Sequence, residues 1–168
     1  PTTQAPVDAA VETEETTEAA PTTVPLVGGP VLAVKIDHVD AAYPRFGIGS
    51  ADVVYVDEVE YGLTRVVAIF SSTLPETVGP VRSARPNDPV ILANYGDSVP
   101  LAFAGSSRQT KSYLAKGSQI NVESGPAFYR DSSRYAPHNL LADPAELLET
   151  AGGSEPPKDV GFRFGDPA

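Results

Sequence analysis

Two β-rich runs, VVYVDEVEY (53–61) and TRVVAIFSS (64–72), are separated by Gly62 and Leu63 alone. β-Branched and aromatic residues at this density favour extended chain. A two-residue gap leaves room only for a tight turn, so the pair predicts an antiparallel hairpin. The first run begins apolar on both faces. Its second half alternates, with Val59 and Tyr61 on one face and Glu58 and Glu60 on the other. Three further apolar runs read as strands: VLAVKI (31–36), VPLAFAG (99–105) and QINVE (119–123). HVDAAYPRFGIGS (38–50) is a connection, because Pro44, Gly47 and Gly49 interrupt any regular element.

Helix signals fall between and after these runs. Asp88-Pro89 ahead of VILANY predicts a start with Asp at the N-cap and Pro at the first helical position. SSRQTKSYLAKG (106–117) has Ser106 or Ser107 to open a helix and Gly117 to close it. Asp143-Pro144-Ala145-Glu146 repeats the Asp-Pro start, adds a capping box, and opens a helix through Leu148. The order is strand, hairpin, helix, strand, helix, strand, loop, helix. It predicts an α/β (α+β) fold: a mixed β-sheet with helices packed on it as a layered sandwich.

The first 25 residues differ from the rest. They hold five acids, no Lys or Arg, and no aromatic, with Thr, Ala and Pro filling most of the remainder. So little apolar surface cannot offset the entropy of ordering, which predicts a disordered stalk over 1–25 and a folded domain over 26–168. All 12 Lys and Arg lie in that domain, yet the chain carries a net charge of −10. That balance argues against nonspecific nucleic-acid binding and against charge-driven attachment to an anionic membrane. The chain has no Cys, hence no thiolate chemistry, and no Met even at position 1, so it reads as the interior of a longer product. No apolar run approaches the roughly 20 residues of a membrane span. A Thr/Glu/Pro-rich stalk before a folded domain suits an exported protein. GFRFGDPA (161–168) looks like the start of a further strand, as though the domain were incomplete at its C-terminal end.

Chemistry concentrates in four stretches. GPVRSARP (79–86) places Arg82 and Arg85 three apart among small residues, after a Gly-Pro turn and before Pro86. Guanidinium forks suit phosphate and carboxylate, and Ser83 and Ala84 leave space beside the backbone. The alternative is that both arginines pair with Asp57, Glu58 and Glu60 across the sheet. FYRDSSRYAPHNLL (128–141) gathers Arg130, Asp131, Ser132, Ser133, Arg134, His138 and Asn139 in ten residues, a polarity that favours a site over a plain connector. A triad of Ser132 or Ser133 with His138 and Asp131 is one reading of it; ligand contact or backbone capping by His138 and Asn139 are the others. The nucleophile-elbow pattern is absent. Asp57-Glu58-Val59-Glu60 alternates along a strand, so at most two of these acids share a site for a hard cation. GSSR (105–108) reads as a helix cap. The two His and absent Cys make no zinc pattern, and no cofactor is implied.

AVKIDH (33–38), ADVVYVDEVEYGLTR (51–65), AIF (68–70), VGPVRSARPND (78–88), FAGSSR (103–108) and FYRDSSRYAPHNLL (128–141), in this order, resemble the YerB-like lipoproteins, a domain of unknown function. The resemblance runs from about residue 26 to 150. It implies an extracytoplasmic bacterial protein, held at the membrane through an upstream lipid anchor or secreted, of which this chain is the N-terminal portion of a larger α/β fold. It implies no established activity. The chain departs from the family pattern at Val56, where Glu is usual, at Tyr61, where Gly is usual, and at His38, where Asn is common. Thr64-Arg65 followed by a second Arg-bearing loop is also similar, at the level of pattern, to the LytR–CpsA–Psr envelope phosphotransferases, whose Arg-Asp-Thr signature is missing here. The expectation is a binding module rather than an enzyme. Arg65, Arg82, Ser83, Arg85, Arg130, Asp131, Arg134, His138 and Asn139 would contact an anionic cell-wall or lipid-linked ligand. The alternatives are a metal-assisted phosphotransferase acting on a lipid-linked cell-wall precursor and a non-catalytic scaffolding lipoprotein.

Overall fold

The computed structural model describes residues 28–161. The expected stalk over 1–25 and nearly all of the strand expected over 161–168 lie outside the described residues. A five-stranded sheet has the order β2-β3-β1-β4-β5, built from β1 (Leu32–Asp37), β2 (Val53–Glu58), β3 (Thr64–Phe70), β4 (Pro100–Ala102) and β5 (Ile120–Val122). β1 is antiparallel to β3 and parallel to β4, and β4 is parallel to β5. The sheet is therefore mixed, as the element order predicts. β1 is central and buried along its whole length, which is why it reads as a continuous apolar run rather than an alternating one.

The hairpin forms, with β2 antiparallel to β3 and Glu58 opposite Thr64. Its connection is longer than two residues. Val59 to Leu63 leave the sheet, Glu60–Gly62 make a 3-10 turn, and Tyr61 and Gly62 take positive φ of 65° and 69°. The alternation expected over 58–61 thus stops at Glu58. Two consecutive left-handed residues close the loop more tightly than extended chain allows, and the turn is sealed by Val59 N–H donating to Leu63 O at 2.7 Å. β2 is one edge strand, and its residues Val54 and Val56 stay open to solvent.

Apolar residues cover both faces of the sheet. On one face Leu32, Val34, Ile36, Val66, Ala68 and Phe70 pack against Val78, Ala127, Ala142, Leu147 and Leu148. Ala142, Leu147 and Leu148 belong to a layer made by α3 (Pro144–Thr150) and a two-stranded ribbon of β6 (Phe128–Arg130) and β7 (Leu140–Ala142), with Ala127 just before β6 and Val78 bridged to β7. The sequence reading treats 128–141 as one loop and misses this ribbon, because its two strands are three residues each and their polarity hides them. On the other face Ala33, Val67, Ile69 and Leu101 pack against Leu92, Tyr95 and Leu114, from α1 (Asp88–Leu92) and α2 (Arg108–Leu114) or just beyond them. Three layers result, so the expected layered sandwich is the observed one.

The helix starts are realised in different ways. Ser107 caps α2, accepting from Thr110 N–H at 3.0 Å. Asp143 caps α3, its Oδ1 accepting from Ala145 and Glu146 N–H at 2.9 and 3.1 Å. The reciprocal half of the capping box is not made, since the Asp143 N–H donates to Ala127 O instead. At α1 the N-cap is Asn87, not Asp88. Asp88 lies inside the first turn, fully buried, because its carboxylate is claimed by Lys35 and the Arg85 backbone.

Candidate functional site

The GPVR segment binds four parts of the fold together through its backbone. Val78 bridges Ala142 of β7, Gly79 bridges Phe46, and Val81 bridges Ile36 of β1. Arg82 N–H donates to Lys35 O, Ala104 N–H to Arg82 O, and Ala84 N–H to Gly105 O, all at 2.9–3.0 Å. The segment is thereby inserted between the ends of β1 and β4. Gly79 has φ +139°, and a Cβ there would stand 2.9 Å from Leu140 O, so only glycine fits. Arg82 and Arg85 are the two long side chains the segment carries outward.

Arg82 meets Asp37, the last residue of β1. Its Nε lies 2.9 Å from Asp37 Oδ2, and His138 Nδ1 lies 2.7 Å from the same oxygen. Arg65, opposite Asp37 in the β1–β3 register, holds the other oxygen at 3.1 Å. Asp37 is completely buried and Arg65 nearly so. Burial lowers the Arg65 guanidinium from its ordinary value, and Arg82 and Arg85 lower it further, while Asp37 pulls it back up. An arginine stays charged through such shifts. Arg65, Arg82 and Arg85 are therefore close enough to repel one another, with Asp37 and the largely exposed Glu60 as their acids. The Nε atoms of Arg65, Arg82 and Arg85 are buried and make no hydrogen bond among the described residues, the Arg82 Nε meeting Asp37 as an ion pair only. Donors outnumber acceptors in this cluster.

Asp37 was not among the residues expected at the site, although it ends the apolar run AVKID. An acid closing an otherwise buried strand is a detectable signal, but its three partners lie 28, 45 and 101 positions away.

The other expected residues are placed as follows. Ser83 Oγ donates to Ala104 O. Arg85 donates to Glu60 at 2.8 Å and to the carbonyls of Ser83 and Ala84. Of the acids weighed for the two loop arginines, Glu60 takes Arg85, and Arg82 goes to Asp37. Asp57 accepts from Lys35 and Asn87. Arg130 donates to Asn139 Oδ1 at 2.6 Å. Arg134 donates to Ala42 O and lies over the Phe46 ring, 5.5 Å from its centroid. Asp131 accepts from the Ser133 N–H and hydroxyl, which lower its carboxyl from the usual value. The Ser–His–Asp reading is thus replaced: Ser133 serves Asp131, and His138 serves Asp37.

A groove of about 520 Å³ opens beside this cluster. Arg82, Gly105, Glu123, Ser124, Arg130 and Pro137 are among its walls. Gly105, Glu123 and Ser124 follow the carboxyl ends of the parallel strands β4 and β5, and Asp37 ends β1, which runs parallel to both. Crevices at the carboxyl ends of parallel strands are the usual ligand positions of open sheets. Of the nine expected residues, Arg82 and Arg130 line this groove; Arg65 and His138 stand behind Arg82 on Asp37, and Arg85 and Arg134 are engaged elsewhere.

A three-layer α+β sandwich with an arginine-rich, GPVRSAR-bearing groove at one end of its sheet defines the class. The chain belongs to the family described as protein of unknown function (DUF3048) N-terminal domain, which matches residues 4–157. YerB of Bacillus subtilis (strain 168), a protein named as a lipoprotein, is 38% identical over 112 residues, covering 64% of this chain and 33% of that protein. The crystal structure of YerB protein from Bacillus subtilis superposes with a TM-score of 0.67 at 29% identity, covering 80% of this chain and 50% of the crystallised one. The chain therefore spans between a third and a half of the relatives it matches.

Proposed function

We propose that this domain binds a phosphate- or carboxylate-bearing ligand in the groove beside Arg82, on the outer face of a bacterial membrane. The supporting observation is the state of Arg82. Only its Nε is spent on Asp37, and no acceptor among the described residues engages its terminal nitrogens. Its side chain is 21% exposed and reaches the groove that Arg130 also lines. Arg65 and Arg85 add positive potential from behind it. Two arginines with open donors, facing one cavity, are chemistry for an anion. Glu123, also in the groove lining, favours ligands that carry in addition a hydroxyl, amide or cationic group, as cell-wall and lipid-linked sugar phosphates do. The lipoprotein name of the relative supports this location; no helix among the described residues is long and apolar enough to cross a membrane.

The scaffold reading has one observation in its favour: Arg65, Arg82 and His138 all converge on one buried carboxylate, and Arg85 has Glu60. The phosphotransferase reading has none, since Asp57 and Glu60 are already held by Lys35, Asn87 and Arg85. Binding is tested by titrating the domain, alone and within the full-length protein, with pyrophosphate and with soluble peptidoglycan fragments. The expected result is saturable binding that weakens at least tenfold in Arg130→Ala and in Arg82→Lys. Arg130 is exposed, and a denaturant melt of the variant checks that the fold survives loss of its hydrogen bond to Asn139. No binding of any probe to the wild-type protein would refute this reading and leave the scaffold one.

A further inference from the structure

Lys35 is an odd residue to find on a central strand. It is fully buried, and its Nζ lies 2.6 Å from Asp57 Oδ2 and 2.6 Å from Asp88 Oδ1. Asp88 is also fully buried, and the Asp57 side chain is 12% exposed. Around them Val67, Ala84 and Leu92 belong to the apolar cluster of this face. Asp57 opens to solvent at one edge, and the other two of these three formal charges, Lys35 and Asp88, sit where water does not reach. Charge in such a place is costly even when paired. One proton taken up by a carboxylate would neutralise the group, leaving the Lys35 ammonium between one carboxylate and one carboxylic acid. Burial raises the Asp88 carboxyl above its ordinary value, against the pull of Lys35, toward that neutral form.

We infer that Lys35 and Asp88 form an intramolecular amide, a covalent cross-link between β1 and α1 in a chain that has no cysteine for a disulfide. The contact distances put Nζ roughly 3.5 Å from the Asp88 Cγ, a near-attack separation. In the step, Asp57 as carboxylate takes one proton from the Lys35 ammonium. The freed amine lone pair forms the Nζ–Cγ bond to the protonated Asp88 carboxyl. Its C=O electron pair moves onto Oδ2, where the Arg85 backbone N–H donates at 2.6 Å. On collapse of that adduct the Cγ–Oδ1 bond breaks. Its hydroxyl leaves with the proton returned by Asp57, and the second amine proton regenerates protonated Asp57, which releases it to solvent. One ammonium and one carboxylic acid become one secondary amide, one water and one proton, with no oxidant or cofactor. Asn87, donating to Asp57 Oδ1 at 2.9 Å, holds the base in position. Burial of Lys35 and Asp88 favours the condensation and protects the product, while the exposed edge of Asp57 lets the proton leave. The bond would lock the start of α1, and through it the Arg82–Arg85 loop, to the sheet, and it is independent of any ligand.

The experiment is intact-mass spectrometry of the purified folded chain under denaturing conditions, with peptide mapping. The expected mass is one water below that of the sequence, and digestion releases a branched peptide joining Lys35 to Asp88. Lys35→Met and Asp57→Asn should both return to the full sequence mass; the second keeps nucleophile, electrophile and volume and removes only the base. If either variant fails to fold, the wild-type mass and branched peptide still decide. A wild-type mass equal to the sequence after days in the folded state at neutral pH would overturn the inference and leave an ion-paired triad. A branch through Asp57 would overturn the assigned roles.

Discussion

Asp37→Asn is the perturbation that tests the cluster most directly. Asparagine keeps the shape of the carboxylate and can still accept from the Val39 N–H and an arginine, but it removes the one buried negative charge among Arg65, Arg82 and His138. Arg65, 7% exposed at its side chain, is then a buried cation without a counterion. Breaking a buried pair from one side costs about 3–5 kcal/mol. Arg82 is about a fifth exposed and loses less, because water screens it. The total falls at about 3–5 kcal/mol against the roughly 5–15 kcal/mol that holds a domain. For a domain of this size that is a drop of about 10–20 °C in Tm. Urea and thermal denaturation followed by circular dichroism measure it, and an unchanged m-value certifies that stability moved rather than the unfolded state. If Asp37→Asn unfolds within about 1 kcal/mol of the wild type, the cluster is solvated and the energetic reasoning is wrong. The same variant separates the two functional readings. With the competing carboxylate gone, a folded Asp37→Asn protein should bind pyrophosphate more tightly than wild type. A pure scaffold shows no binding in either form.

Three other outcomes follow from the geometry. Gly79→Ala should destabilise by more than about 2 kcal/mol, because φ of +139° admits no side chain and the Cβ meets a backbone oxygen; native-like stability in a denaturant melt would contradict the fit. Asp143→Ala removes two N-cap hydrogen bonds of α3 and should cost about 1 kcal/mol, read from the same melts, with Asp143→Ser recovering most of it. Glu60 has its carboxyl lowered from the usual value, first by a backbone hydrogen bond and then by Arg85. A lowered acid contributes stability that is present above its unfolded value and is lost as pH falls through the folded one. Glu60→Gln should therefore flatten the acid limb of the stability–pH curve below about pH 4.5. Glu60 is 66% exposed, so the effect should stay within about 1 kcal/mol; a large loss at neutral pH would mean that the Arg85 pair carries more than its exposure allows.

What the chain determines locally was legible in its order of residues. Apolar runs with β-branched side chains became β1 to β5, and Ser107 and Asp143 capped the helices they precede. These signals act over a few residues, where dihedral preference and a neighbouring N–H settle the matter. The resemblance carried by GPVRSAR and by FYRDSSRYAPHNLL was equally visible, since it lives in contiguous motifs. The hairpin loop was misread by a few residues because Tyr61 adopts a left-handed conformation that its side chain does not announce. The β6–β7 ribbon was missed because three-residue strands carry too little pattern to be seen without their partners. The pairing of charges belonged to tertiary structure alone. Sequence reasoning put Asp131 beside His138 and set Asp57, Glu58 and Glu60 against both loop arginines, which holds only for Arg85 and Glu60. The fold instead brought Asp37, 101 residues from His138, under Arg65, Arg82 and His138, and brought Lys35 between Asp57 and Asp88. A charge finds its partner through strand register and layer packing, and both are properties of the assembled sheet rather than of any stretch that contributes to it.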